Sequence, residues 1–444
     1  MEQFQKFAES GFVKGKKMGF DELEIFMLRS KSLGVTVRNG KAEETNLSDI
    51  KGVGLRGIKD KRWGYAYTAD FSPQGLQYLL EEALRNTAYS DIDEFAALPQ
   101  KQQGYAPLGL YDSTMEALSL DAKIELALQA EQAAKNGDKR VVQVDKASYT
   151  EGESQVWIAN TKGIMAYEKN TACSLSCVAI GEDNLGRDSG YGIDQAVWVC
   201  ELNPNKVGEE AAMRATRLLS AKSLSNMTCD IILPAETAVD FLEMIAGSFS
   251  GESVLKGRSM FKQVGDMIAS PLVNIVDDAT LPKGLGSSEF DGEGVKTQRT
   301  ILVQEGVLKG YLYDTKTALE ANTTSTGNGM RGSYRTAPYI ANSNYYLLPG
   351  HTKENDMIAM SEKAVMITDI LGGHTANPIT GDFSFGIAGL LIENGKIVCP
   401  IRGATMAGNF KDIFKNIDML GDNLTFFGSI GAPSIRVKNV RISG

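Results

Sequence analysis

The hydrophobic positions of this chain change period several times. Phe4, Phe7, Ala8, Phe12 and Val13 recur at helical spacing over residues 2–17, and Gly19 closes the pattern. Leu23, Ile25 and Met27 then alternate with polar neighbours, which predicts a strand. Gly34 to Val37 continues it up to Asn39-Gly40, a hairpin signal, and further strands are expected over 41–47, 50–58 and 63–68. Ser72-Pro73 opens a helix to about Thr87, with Ser as cap and Pro in the first turn. Residues 90–113, with Pro99 and Pro107, read as a surface loop.

A second block repeats the plan. A helix is expected over 119–136, then strands near 140–150, 154–160, 163–169 and 171–181. A glycine-rich turn over 186–192, a last strand from Ala196 to Cys200 and a helix from Asn203-Pro204 to about Leu219 complete it. Each block is a helix, a strand meander and a closing helix. The third block starts with the buried-strand pattern Asp230 to Pro234 and a helix from Ala235 to Ala246. Beyond it, short strands and glycine turns dominate 270–440, apart from a helical segment at Phe410 to Met419. The expected fold is α+β. An N-terminal α/β region spans 1–225, with sub-blocks at about 1–90 and 115–222, and a β-rich barrel or sandwich spans 226–444.

Composition narrows the function classes. With 444 residues there is room for more than one core, and 43% hydrophobic and 23% charged residues suit a folded globular chain. A net charge of −9 disfavours a broad nucleic-acid surface. No apolar run is long enough to cross a bilayer. The N-terminus carries acids and lacks the parts of a signal peptide, so a cytoplasmic protein is expected. Five cysteines, an odd number, fit reduced thiols better than a disulfide framework.

The local motifs are weighed against plain structural readings. Gly52, Gly54 and Gly57 match a dinucleotide-binding spacing, but no helix start follows, so they read as strand glycines that admit close neighbours. Gly247-Ser248-Phe249-Ser250-Gly251 fails as a nucleophile elbow because its centre is Phe249. His351 and His374, the only histidines, cannot share a helix turn, and no intrinsic zinc site is expected. Asp277, Asp278, Asp291 and Glu293 either line an acid–base or hard-metal site or form turns. Arg331, in the glycine loop 327–332, either holds a peptide carboxylate or sits in a long β-loop.

The stretch 372–410 concentrates glycine with a His, an Asn-Pro and Thr380-Gly381-Asp382-Phe383-Ser384. A strand from Ile387 to Ile392 follows, then Asn394-Gly395, which favours a type I′ turn. With Ile275 to Asp278, Phe290 to Gly294, Gly306 to Leu312, Thr326 to Gly329 and Leu348 to Gly350, this series resembles the TldD/PmbA family, and within it the PmbA (TldE) branch. The resemblance implies a cytosolic peptidase pair acting on unfolded or modified peptides. In its TldD branch a helix carries H-E-x-x-x-H and binds zinc. Here that helix falls near Leu242 to Gly247, where Glu243 persists and no histidine stands. The implied role is a zinc-free subunit with no catalytic residues or cofactor of its own, partnered by a TldD-type zinc subunit. A stand-alone peptide-binding homodimer is the alternative, and an enzyme built on the Asp277 to Glu293 carboxylates is a third reading. His374, Asn377, Asp382 and Ser384 are expected to line the peptide or partner surface, or else only to fix turns.

Overall fold

The computed structural model of the protein describes residues 2–102 and 104–444. In the N-terminal half, helix Glu2–Met18 precedes strands β1 (Glu22–Arg38), β2 (Lys41–Lys59) and β3 (Arg62–Thr68) and helix Pro73–Thr87. Helix Leu120–Gly137 then leads to β4 (Val141–Asn160), β5 (Met165–Asp183), β6 (Gly186–Ala196) and helix Pro204–Arg217. The local signals act as read. Ser72, Ser119 and Asn203 each cap a helix by accepting a backbone N–H with the side chain. Asn39-Gly40 turns with both residues at positive φ, 52° and 74°.

The two blocks share one antiparallel sheet, in the order β3-β2-β1-β4-β5-β6. Pairing of β1 with β4, from Glu24↔Asn160 to Val37↔Ala147, makes the joint, and the sheet curves into a half-barrel. Helices Glu2–Met18 and Pro73–Thr87 cover one end of its odd-numbered β1 face, burying Leu23, Ile25 and Met27. Helices Leu120–Gly137 and Pro204–Arg217 cover the other end, over Val35 and Val37. Between these caps the face is polar, with Arg29–Asp49 and Lys169–Glu153 ion pairs. Those charges are why the strands look broken in sequence, although β2, β4 and β5 each run through without interruption.

Two expectations change here. Residues 186–192 are strand, not turn. Gly190 and Gly192 let the backbone of helix Pro204–Arg217 press onto β6: a Cβ would lie 2.1 Å from Ala215 N at the first and 2.0 Å from Val207 O at the second. The last strand stops at Ala196, and Val199–Glu201 is a short 3₁₀ turn.

The C-terminal half contains β7 (Met227–Leu233), β8 (Ile275–Asp278), β9 (Arg299–Gln304), β10 (Val307–Leu308), β11 (Gly329–Met330), β12 (Tyr339–Ile340) and β13 (Tyr345–Leu347). It continues with β14 (Lys363–Leu371), β15 (Asp382–Glu393), β16 (Lys396–Asn409), β17 (Ile417–Leu420), β18 (Thr425–Phe427), β19 (Ile430–Ala432) and β20 (Ile435–Ser443). Strands β16-β15-β14-β7-β20 form a sheet that β16–β20 pairing closes into a five-stranded barrel. A second sheet, β10-β9-β8-β13-β19-β18, lies beside it, and both contribute to one large core. The segment expected to be helical from Phe410 to Met419 is helix only to Lys415, and β17 follows. Asn394-Gly395 makes the β15–β16 hairpin turn at φ 51° and 74°.

Inside the barrel Phe241, from helix Ala235–Ala246, meets Phe383, Phe385 and Phe410 edge-on at 6.1, 6.2 and 5.8 Å between ring centroids. Phe383 and Phe385 alternate along β15 with Asp382 and Ser384. Burial of the two rings therefore turns the polar pair outward.

Candidate functional site

The structure sorts the residues singled out above into two places. His374, Asn377, Asp382 and Ser384 lie together on an exposed surface at one end of the barrel. Arg331, Asp291 and Glu293 lie in a buried seam between the two halves of the chain.

The exposed surface is built by the loop 372–381 and the start of β15. Gly372 enters the loop at φ 84°, and a 3₁₀ turn, Gly373–Thr375, carries His374. The Asn377 side-chain oxygen accepts from the N–H groups of Ile379 (2.9 Å) and Thr380 (3.1 Å). That is an Asx turn, so Asn377 shapes the loop. Asn409 Nδ2 donates to Asp382 Oδ1 at 2.8 Å, and that bond, with Thr380, holds the Asp382 carboxyl below the usual carboxylate range. Thr375 Oγ1 donates to the Ser384 carbonyl at 3.3 Å.

Helix Ala235–Ala246 runs beside this loop. A Cβ on Gly373 would come 2.6 Å from Met244 Cε, and Ser248 Oγ donates to the Pro378 carbonyl at 3.4 Å. The helix presents Asp240 and Glu243 outward. Desolvation, then the carboxylates of Glu243, Glu236 and Asp369, push Asp240 up to about 6. Leu371 and Ile379 are exposed on the same surface at 61% and 47%. The surface thus combines acids, one histidine and apolar side chains. Among the described residues, no group of three or more His, Cys, Asp or Glu is placed to hold a metal ion.

The buried seam joins the N-terminal sheet to the loops 290–294 and 329–340. Arg56 Nη2 donates to Glu24 Oε2 and to Glu293 Oε1, both at 2.9 Å. Arg331 pairs with the other Glu24 oxygen and donates from Nε to the Gly292 carbonyl at 2.6 Å. Burial alone would lower the Arg56 pKa, and the two carboxylates more than reverse that, so it stays charged. Asp291 accepts three backbone N–H groups, from Glu293, Val295 and Gly329, at 2.9–3.0 Å. Desolvation and the Glu293 carboxylate still push its pKa well above the ordinary range.

The Tyr334 ring packs on β2 where Gly52 has no side chain; a Cβ there would lie 2.2 Å from Tyr334 Cζ. Tyr65 Oη donates to the Tyr334 carbonyl at 2.7 Å, close above Gly54. The Gly52-x-Gly54 spacing therefore serves packing between the two halves. Glu24 and Arg56 are the members of this seam that sequence reasoning passed over. The available signal was one acid and one base, each inside an apolar strand, which the hairpin places directly opposite one another.

Asp277 borders the seam through Asn328, the residue before Gly329. Its carboxylate accepts from Ser343 N (2.7 Å), Ser343 Oγ (2.7 Å) and Asn328 Nδ2 (2.8 Å). Desolvation outweighs these bonds and raises it to about 6. A folded-state pKa raised above the unfolded value of about 3.9 contributes stability that is full below that value. This contribution is lost as pH rises through 6. The stability difference between wild type and Asp277→Asn is therefore expected to shift against wild type on going from pH 4 to pH 7. Urea midpoints at four pH values check this, and a pH-independent difference would refute it.

The comparisons with known proteins follow these features across the whole chain. Three domain models of the PmbA/TldA metallopeptidase match in order: domain 1 over residues 23–87, the central domain over 114–219 and the C-terminal domain over 226–444. The chain belongs to the PmbA/TldD family. It is 29% identical to the metalloprotease PmbA of Escherichia coli O157:H7, covering 96% of this chain and 92% of that one. A Thermotoga maritima structure labelled a modulator of DNA gyrase superposes with a TM-score of 0.90 at 28% identity, covering 99% and 100% of the two chains. TldE from Thermococcus kodakarensis shares the fold, with a TM-score of 0.91 at 23% identity over 99% and 100%. Within this PmbA/TldD chain, the match of domain 1 stops before helix Leu120–Gly137. The β1–β4 joint therefore links the first two family domains into one sheet.

Proposed function

We propose that this chain is the zinc-free subunit of a heteromeric peptidase, with the zinc site on a homologous TldD-type partner. One observation carries the reading. Helix Ala235–Ala246 lies beside an exposed loop, as a metal-bearing helix would, yet its side chains do not suit zinc. At the positions matched to the two histidines, Leu242 is buried in the core and Gly247 has no side chain. Glu243 is exposed between them, but a carboxylate without metal-bound water has no nucleophile to activate.

In this reading the chain contributes binding. The surface with His374, Asn377, Asp382 and Ser384, flanked by Leu371 and Ile379, faces a peptide or the partner's site. Unfolded or modified peptides are the substrates that the family resemblance implies, and the exposed loop surface is the place in this chain where an extended peptide would lie. Asp291, Glu293 and Arg331 are left to hold the halves together, since all three are engaged inside the protein. No cofactor is assigned to this chain. Among the described residues, no helix is long and apolar enough to cross a membrane.

The test compares three samples on an unstructured peptide: this chain, a TldD-type homologue from the same organism, and the two mixed. Cleavage is expected only in the mixture, and a zinc chelator should abolish it. Chelator-resistant cleavage by this chain alone would overturn the proposal and return attention to its carboxylates. If no sample cleaves although the partner holds zinc, the chain is a peptide-binding protein instead.

A further inference from the structure

Two helix ends meet where the N-terminal half joins the barrel. The last turn of helix Pro204–Arg217 carries Arg214 and Arg217, and the first turn of helix Ala235–Ala246 carries Glu236. Cations at a helix C-terminus and an acid at an N-terminus each suit the local dipole. Arg217 Nη1 donates to Glu236 Oε1 at 2.7 Å, and Arg214 pairs with the other Glu236 oxygen. Arg217 Nη2 donates to the Thr368 carbonyl at 3.1 Å and lies 3.5 Å from Asp369 Oδ2. At 14% and 15% exposure, the two guanidiniums lie deeper than the surface pairs that contribute little.

The Thr368 carbonyl is available because β14 bulges there. Ile367 pairs with Gly389 and Asp369 with Ala388, so Thr368 is the extra residue. Only a glycine fits against this bend: a Cβ on Gly389 would lie 2.0 Å from the Met366 carbonyl oxygen. Thr237 Oγ1, on helix Ala235–Ala246, donates to the Ile367 carbonyl at 2.9 Å. Past the bulge β14 ends at Leu371, and Gly372 opens the loop that carries His374.

We propose that Arg217 is a positioning residue for the exposed surface around His374 and Asp382. One guanidinium fixes the start of helix Ala235–Ala246, a wall of that surface, against the bulged strand that leads into the loop. Arg214 ties the same junction to the N-terminal sheet, donating to the Tyr191 carbonyl of β6 at 2.5 Å. Helix Pro204–Arg217 is seated tightly on that sheet, since a Cβ on Gly181 would lie 2.3 Å from the Ala215 carbonyl oxygen. A movement of the sheet is therefore carried to the surface through these two arginines. The proposal rests on the binding role given to that surface, but two of its three readouts need no peptide.

Arg217→Met should speed hydrogen exchange of the 368–381 amides roughly tenfold and leave the amides of β1 and β4 unchanged. Arg217→Lys keeps the charge without the planar fork that reaches both partners, so it should recover the exchange only in part. Asp240 reports the charge separately. Glu243 and Glu236 on its own helix and Asp369 on β14 act on it, and Arg214 and Arg217 neutralise the last two. Followed with a carbon-13 label on aspartate carboxyls, and assigned with Asp240→Asn, it should titrate about half a pH unit higher in Arg217→Met, because a nearby cation is lost. Arg217→Lys should restore it. In the mixture with a TldD-type homologue, Arg217→Met should raise KM for an unstructured peptide several-fold and leave kcat within about twofold.

Unchanged exchange in Arg217→Met overturns the proposal, and so does faster exchange spread evenly over the chain. An Asp240 titration that does not move, or that Arg217→Lys fails to restore, overturns it as well. If exchange and titration change as expected and KM does not, the arginine holds the junction and the binding role of the surface is wrong.

Discussion

Arg56→Met is expected to destabilise the protein by about 3–5 kcal/mol, the cost of leaving buried carboxylates without their cation. Glu24 and Glu293 are fully buried, at 0% and 1% exposure, and the same Arg56 nitrogen donates to both. Without it, among the described residues, Glu24 retains Arg331 alone, and Glu293 retains the Thr315 backbone N–H at 2.8 Å. Met fills similar space over the Trp63 ring, so lost packing contributes little. The residues concerned come from both halves of the chain, so unfolding should lose cooperativity as well as midpoint. Urea denaturation followed by tryptophan fluorescence reads both quantities. Adding Glu293→Gln to Arg56→Met removes one orphaned charge and should recover part of the loss. A single variant within about 1 kcal/mol of wild type, the range of exposed pairs, would show that the seam is solvated and not a buried ionic lock.

Phe241→Ala should cost about 3–5 kcal/mol, from lost transfer energy and from the cavity left among three aromatic neighbours. The ring is completely buried, and its contacts with Phe383, Phe385 and Phe410 fix the inner face of β15 and the start of helix Phe410–Lys415. Asp382 and Ser384 sit on the outer face of the same residues' strand, so the effect reaches the exposed surface. Limited proteolysis should cut the 372–381 loop faster in Phe241→Ala than in wild type. Phe241→Leu, which fills more of the space, should fall between them. A variant with wild-type stability and unchanged proteolysis would mean that the barrel core repacks without involving the loop. In that case the surface is held by its own hydrogen bonds, chiefly Asn377 and Asn409.

Much of the local architecture is legible along the chain. Helix starts at Ser72, Ser119 and Asn203 and the Asn-Gly hairpins at 39–40 and 394–395 depend on groups a few residues apart. The family resemblance is legible for a similar reason, since its motifs are short runs at turns and strand ends. The glycines of 186–192 mislead because glycine serves two purposes. In a turn it supplies positive φ, and in β6 it supplies the absence of a side chain beneath a helix. Only the partner surface distinguishes the two.

By itself the sequence determined the long helices with their caps, the Asn-Gly turns and the α+β class, because caps, turn residues and hydrophobic period act over a few positions. It also determined that no histidine stands near Glu243. The tertiary structure decided that β1 and β4 join two blocks into one sheet. It also decided that Asp291, Glu293 and Arg331 are interior, while His374, Asn377, Asp382 and Ser384 are on the surface. Both groups read alike along the chain, as polar residues in glycine-rich turns. What separates them is desolvation by distant segments: Arg56 meets Glu293 across 237 positions and Arg331 meets Glu24 across 307. A charge's environment is set by what folding brings against it, and no local pattern encodes that contact.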